Sequence, residues 1–199
     1  MKKNLLLLFA GLSLAFTSCG DSAPESNLEE TQHDADQIAD GQADGVVEFN
    51  DGIVAHVDMG ELQMAKLMDL DDQDVPAAEM LAAANEAMAD VEQRIKTLEA
   101  LSPTGIGGDD FLSSAIDHLK NVKAVAEVYA EFSNDLETPD SLWTEDMGAM
   151  WMNLAEPIFA DYEDSYTQLE ISQGTYGSLN NMDIIPSDVT IEDLYEESK

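Results

Sequence analysis

Hard cations such as calcium require oxygen ligands at alternating positions around a glycine turn, and residues 40–51 come nearest to that pattern. Asp40-Gly41-Gln42-Ala43-Asp44-Gly45-Val46-Val47-Glu48-Phe49-Asn50-Asp51 meets the calcium-loop template at the first, fifth, sixth, eighth, ninth and twelfth places. The candidate ligands are Asp40, Gln42, Asp44, Glu48 and Asp51. Two departures count against them: Gln42 stands where Asp or Asn is usual, and Asp51 replaces the bidentate Glu. No convincing helix enters from the preceding acidic stretch either. A tether-to-helix junction capped by acids is therefore the favoured reading, with calcium as the alternative. Asp69–Asp74 lacks the glycine and the closing Glu.

Other chemistry finds less support. A carboxylate-rich helical protein invites a di-iron reading, but that site needs paired Glu-x-x-His motifs. The residues three before His56 and His118 are Ile53 and Ala115. His33, His56 and His118 are accordingly expected on the tether or on helix surfaces. Met147, Met150, Trp151 and Met152 could offer soft ligands to Cu(I). Met59, Met64, Met68 and Met88 recur at helical spacing, however, so filling an irregular core is the expected role of methionine here. No nucleophile elbow, phosphate loop or zinc motif appears, and 42 acidic residues make any chance carboxylate pair uninformative. The expectation is a protein that is not an enzyme and has no resident cofactor.

The N-terminus supplies an address. Lys2 and Lys3 precede an apolar run, Leu5 to Phe16, that ends at Phe16-Thr17-Ser18-Cys19 with the chain's one cysteine. About a dozen apolar residues fall short of the roughly 20 needed to span a bilayer as a helix. This pattern resembles the signal peptide (1–18) and lipobox of bacterial lipoproteins. The resemblance implies cleavage before Cys19 and acylation of its sulfur and new amino terminus. Gly20, where Asp would signal retention, implies sorting to the outer membrane. A lipidated Cys19 leaves the mature chain no thiol for a disulfide, a metal or a nucleophile.

Cleavage removes Lys2 and Lys3 and no acid, taking the formal charge from −34 to −36. Six dispersed cations cannot make the basic footprint that nucleic acid requires, so that partner is excluded. Cations, basic proteins or concentrated salt remain, and a solvated acidic surface suited to a salty exterior is the simplest account. Residues 19–45 carry eight acids, no Lys or Arg, and only Leu28 and Ile38 as large apolar residues. Such a stretch reads as a disordered tether spanning roughly 28 Å.

Helical periodicity begins at Val46. Phe49, Ile53, Val57, Gly60, Met64 and Leu67 form one face, with Gly60 predicted to admit a neighbouring helix closely. Asp74 and Pro76 start a second helix carrying Ala77, Leu81, Ala84, Met88, Val91, Ile95 and Leu98. Ser102–Gly108 stops it, and Asp109 or Asp110 caps a third with Leu112, Ala115, Leu119, Val122, Ala126 and Tyr129, widened by Ile116, Val125 and Phe132. Ser141 or Thr144 caps a fourth with Met147, Trp151, Leu154, Ile158, Tyr162, Tyr166 and Leu169, and Pro157 predicts a kink within it. Gly174–Pro186 reads as loop, and Thr190–Glu197 as a short helix docking through Ile191, Leu194 and Tyr195.

These elements predict an all-α chain: an antiparallel up-down-up-down four-helix bundle over 46–173, with 174–199 as a C-terminal loop and short helix. The lipobox, the acidic tether, Phe49-Asn50-Asp51-Gly52-Ile53-Val54 and Pro157-Ile158-Phe159-Ala160-Asp161-Tyr162 together resemble an uncharacterised family of bacterial surface lipoproteins with a helical core. That likeness implies no chemistry. The expected role is a lipid-anchored interaction module of the cell envelope, held in the membrane by Cys19 and suited to a basic protein partner. A calcium-binding lipoprotein is the alternative, and the oligomeric state is left open.

Overall fold

In the computed structural model, residues 17–18, 28–38, 41, 43, 45–73, 75–136, 142, 144–186, 191 and 194–195 are described. The chain is all-helical in its body. Five helices follow in order: α1 (Leu28–Gln37), α2 (Val46–Asp72), α3 (Ala77–Ala100), α4 (Gly108–Leu136) and α5 (Glu145–Leu179). A two-residue antiparallel bridge joins Thr17–Ser18 to Ile185–Pro186. No helix among the described residues is long and apolar enough to cross a membrane.

Apolar spacing explains most of the assembly. α4 packs most extensively, against α3 on one side and α5 on the other, and α2 packs on α1, α3 and α4. Each stripe position expected on α2 and α4 is buried, apart from the partly exposed Ile116. Gly60 is where α2 and α4 close up, because a Cβ there would meet Leu119 Cδ2 at 2.5 Å. Side-chain pairings fix the register of α5. Phe49 and Phe111 both contact Tyr176, Glu61 reaches Tyr162, and Phe132 meets Trp151.

Several expectations need correction. The stretch read as a disordered tether contains α1, and Ile38 at its end is fully buried. Its apolar content is low, but Leu28, Thr31, Ala35 and Ile38 fall on one face, and a ready-made surface on α2 supplies the rest of the burial. The junction into α2 is capped by Gly45, with no side-chain cap. On α3 the buried face runs through Met80, Ala84, Ala87, Val91 and Leu98, whereas Leu81 and Met88 are half-buried. A strict seven-residue pattern drifts around a straight helix, which rotates the early positions off the core. Similarly, Ala155 and Phe159 face inward on α5 in place of Leu154 and Ile158.

α5 runs unbroken through Pro157 and on to Leu179, beyond the loop expected from Gly174. Burial of Tyr176 between Phe49 and Phe111 offsets the helix cost of Gly174 and Gly177. Thr144 does cap α5, its hydroxyl accepting from Met147 N–H at 3.2 Å. Asp74 and Ser141 lie outside the described residues. Ile191, Leu194 and Tyr195 pack with Met59 and Leu62, as the terminal docking predicted.

Candidate functional site

Two places gather ionisable side chains, and only the first was visible as a motif. Of the calcium-loop candidates, Asp40, Gln42 and Asp44 lie outside the described residues, as does Cys19. Glu48 and Asp51 sit in the first two turns of α2. They line a cleft of about 550 Å³ with Asp34, Gln37, Gly45, Val47 and Gly52, between α1 and the start of α2. Asp34 was not among the sequence candidates because its helix was not anticipated. Burial, then the charges of Asp51 and Glu30, push the Asp34 carboxyl above its ordinary range. Gln37 donates to it at 3.3 Å, and Asn50 donates to Asp51 at 3.0 Å. Among the described residues, no three His, Cys, Asp or Glu side chains gather closely enough to hold a metal ion.

The second place lies within the core. His118 Nε2 is 2.7 Å from Glu61 Oε1, with 0% and 2% of the two side chains exposed. Tyr162 donates its hydroxyl to the other Glu61 oxygen at 2.6 Å. On the far side of the imidazole, Nδ1 is 3.0 Å from Ser165 Oγ, which itself donates to the Tyr162 carbonyl at 2.8 Å. The serine has one proton and spends it on that carbonyl, so it accepts from His118 Nδ1–H. One further proton then lies between Nε2 and Glu61. Tyr162 and Tyr166 flank the ring at 5.4 and 5.6 Å. Burial and the Glu61 charge push the Tyr162 phenol up, which keeps it a donor.

Three helices thus tie one ring of hydrogen bonds, and the groups that could exchange a proton are engaged with each other. Asp58, one turn before Glu61, is the exception. Its buried Oδ1 has no hydrogen-bond partner among the described residues, and burial with the Glu61 charge raises its carboxyl well above the ordinary range. Such a group is held protonated more readily than an exposed Asp.

Both buried histidines overturn the surface expectation; only His33 is exposed. The signal was present. Glu61 lies four residues after Val57, and His118 three after Ala115, so each occupies an apolar-stripe position. Testing only Glu-x-x-His within single helices missed a pair formed between helices. His56, 6% exposed, sits beneath α1 near Ala35 and Asp36 and beside Arg94 and Asp90 of α3. Neither of its ring nitrogens makes a hydrogen bond of good geometry among the described residues, but the Ala35 backbone of α1 lies close enough to favour the protonated ring. Burial and Arg94 depress it to about 4.

Of the methionines, Met59 and Met64 fill core as expected, whereas Met150 is exposed. Compared with protein-family models, curated proteins and solved structures, the chain matches none of them.

Proposed function

We propose that this chain is a lipid-anchored module of the bacterial cell envelope, acylated at Cys19 and sorted to the outer membrane, that works by presenting an acidic helical surface to a basic protein partner rather than by turnover. The helices form an up-down-up-down bundle in this reading, with α2 and α4 running one way and α5 the other. Pairings of Asn50 with Gln173 and Glu61 with Tyr162 support that direction.

The observation that carries the reading is how the few cations are used. Arg94 pairs with Asp90, Lys96 and Lys123 with Glu92, and Lys120 with Asp117. The chain's 8 basic residues face 42 acidic ones, so its outward field is negative and favours encounter with a positive partner. The buried Glu61–His118 pair supports a structural use for the most enzyme-like residues.

Fractionation of bacteria expressing the full chain tests the anchor. The native chain sediments with membranes, and Cys19→Ala shifts it to the soluble fraction; a variant that still sediments overturns lipidation. Thermal unfolding of the soluble Cys19→Ala chain tests the calcium alternative. A rise with calcium at constant ionic strength would move the function to cation binding at residues 40–51. A rise with any salt reports only screening of the acidic surface.

A further inference from the structure

The seat of α1 is a groove with a readable shape. Leu28, Thr31, Ala35 and Ile38 recur at steps of three, four and three, so one face of α1 meets the body through a large, two small and a large side chain. At one end, Leu28 packs with Met59, Leu62 and Leu194. At the other, Ile38 enters a space left by Gly52, where a Cβ would stand 2.7 Å from three atoms of the isoleucine. Shape alone suits the occupant.

Charge does not. α1 carries Glu29, Glu30, Asp34 and Asp36 and no Lys or Arg, and it lies along the start of α2 where Glu48 and Asp51 project. Burial first, and then the charges of Asp51 and Glu30, raise the Asp34 carboxyl where the two helices meet. On the α3 side, the cation Arg94 is already held by Asp90 through two hydrogen bonds at 2.7 and 3.0 Å. Beneath the helix, His56 is buried beside the Ala35 backbone and the Asp36 charge of α1. A cover that fits by shape but sets acid against acid is one that a better-charged helix can displace.

We propose that the α1 groove is a docking site for a basic amphipathic helix of a partner protein, with α1 as the built-in occupant that the partner displaces. The incoming helix repeats the large-small-small-large register of positions 28, 31, 35 and 38 and carries Lys or Arg where α1 carries acids. This rests on reading the acidic surface as partner-facing, and adds where the partner binds and what it must look like. Freed α1 remains joined to the chain, so it competes at high effective concentration and sets a threshold for the partner.

The test uses two synthetic peptides of residues 28–38, one native and one carrying Glu29→Lys, Glu30→Lys, Asp34→Lys and Asp36→Lys. Binding is measured to the Cys19→Ala chain with and without Ile38→Ala, which weakens the built-in occupant. The lysine peptide is expected to bind about tenfold or more tighter than the native one, in a salt-dependent manner. Ile38→Ala is expected to tighten it by a similar factor, and Asp51→Lys to weaken it. Should Ile38→Ala disturb the body, Ala35→Glu changes α1 alone and serves the same purpose. If the lysine peptide binds all variants equally, the groove is overturned while the acidic surface still stands as a partner face. If it binds none at low salt, the groove and the partner reading both fall, leaving the Cys19 fractionation result unaffected.

Discussion

Two regions of this molecule bury ionisable groups, and they do it in opposite ways. Around His118, the carboxylate of Glu61, the phenol of Tyr162 and the hydroxyl of Ser165 satisfy one another across α2, α4 and α5, with Asp58 beside them as the exception. Around His56, α1 closes over an imidazole that makes no hydrogen bond of good geometry among the described residues, near only the Ala35 backbone, and lines up its acids with those of α2. A satisfied network penalises every other register, because slipping one helix would orphan several buried groups at once. An unsatisfied one marks an element whose docked state is only slightly favoured. The first region specifies the body, and on the proposal made above the second leaves α1 removable.

Breaking the satisfied side should cost most. Glu61→Ala or His118→Ala leaves the other member buried without its partner and should destabilise the chain by about 3–5 kcal/mol in urea unfolding. Replacing both together, Glu61→Leu with His118→Leu, should cost less than the two single losses added, since no group is then stranded. Additive losses would mean that the two residues act independently, and the comparison between regions would fail on this side.

The unsatisfied side should show itself through pH. His56 is held at about 4, against an ordinary value near 6.5, so its folded environment disfavours the proton. Stability from the neutral ring is complete above about 6.5 and is lost as pH falls toward 4, amounting to about 3 kcal/mol at most. The Ala35 backbone and Asp36 of α1, and Asp90 of α3, oppose that loss, while Arg94 adds to it. Wild type should therefore lose stability relative to His56→Leu between pH 6.5 and 4. Parallel pH curves for the two proteins would show that α1 does not seal the ring.

The same substitution at two glycines separates the regions directly. Gly60→Ala drives a Cβ to 2.5 Å from Leu119, a fully buried core residue, and should cost about 1–3 kcal/mol of global stability. Gly52→Ala meets Ile38 first, at the end of α1, with three of its atoms 2.7 Å from the new Cβ. It should release α1, seen as faster hydrogen exchange confined to 28–38, while global unfolding changes little. Equal global losses would make α1 an integral part of the body.

Legibility in the sequence followed the same division. α2 and α4 could be read because their apolar stripes are long and regular, and Gly60 announced the close contact at Leu119. Tyr176 could not be read, because the glycines around it signal a loop and only its partners Phe49 and Phe111 make the helix worthwhile. α1 was hidden for a related reason: Leu28 and Ile38 are too few to form a stripe without the small residues Thr31 and Ala35 between them. Glu61 and His118 were legible as polar residues at stripe positions, but their pairing depends on helix register. The calcium-loop candidates divided, with Glu48 and Asp51 meeting Asp34 in one cleft that no spacing within a single segment could have indicated.

The smallest expected effect is also the most specific to the charge conflict at α1. Asp34 is half-buried, and its carboxyl is raised by burial and by Asp51 and Glu30, so docking disfavours its charged form. For a raised acid, this penalty is absent at low pH and appears as pH rises through the folded value. Asp34→Asn removes the charge and keeps an oxygen to accept from Gln37. At neutral pH it should slow hydrogen exchange in 28–38 by a factor corresponding to a few tenths of a kcal/mol, after discounting for solvent screening. The gain should shrink in high salt, and it should vanish at low pH, where Asp34 is itself neutral. A gain that persists under both conditions would arise from packing or hydrogen bonding, and the electrostatic half of the contrast between the two regions would then be wrong.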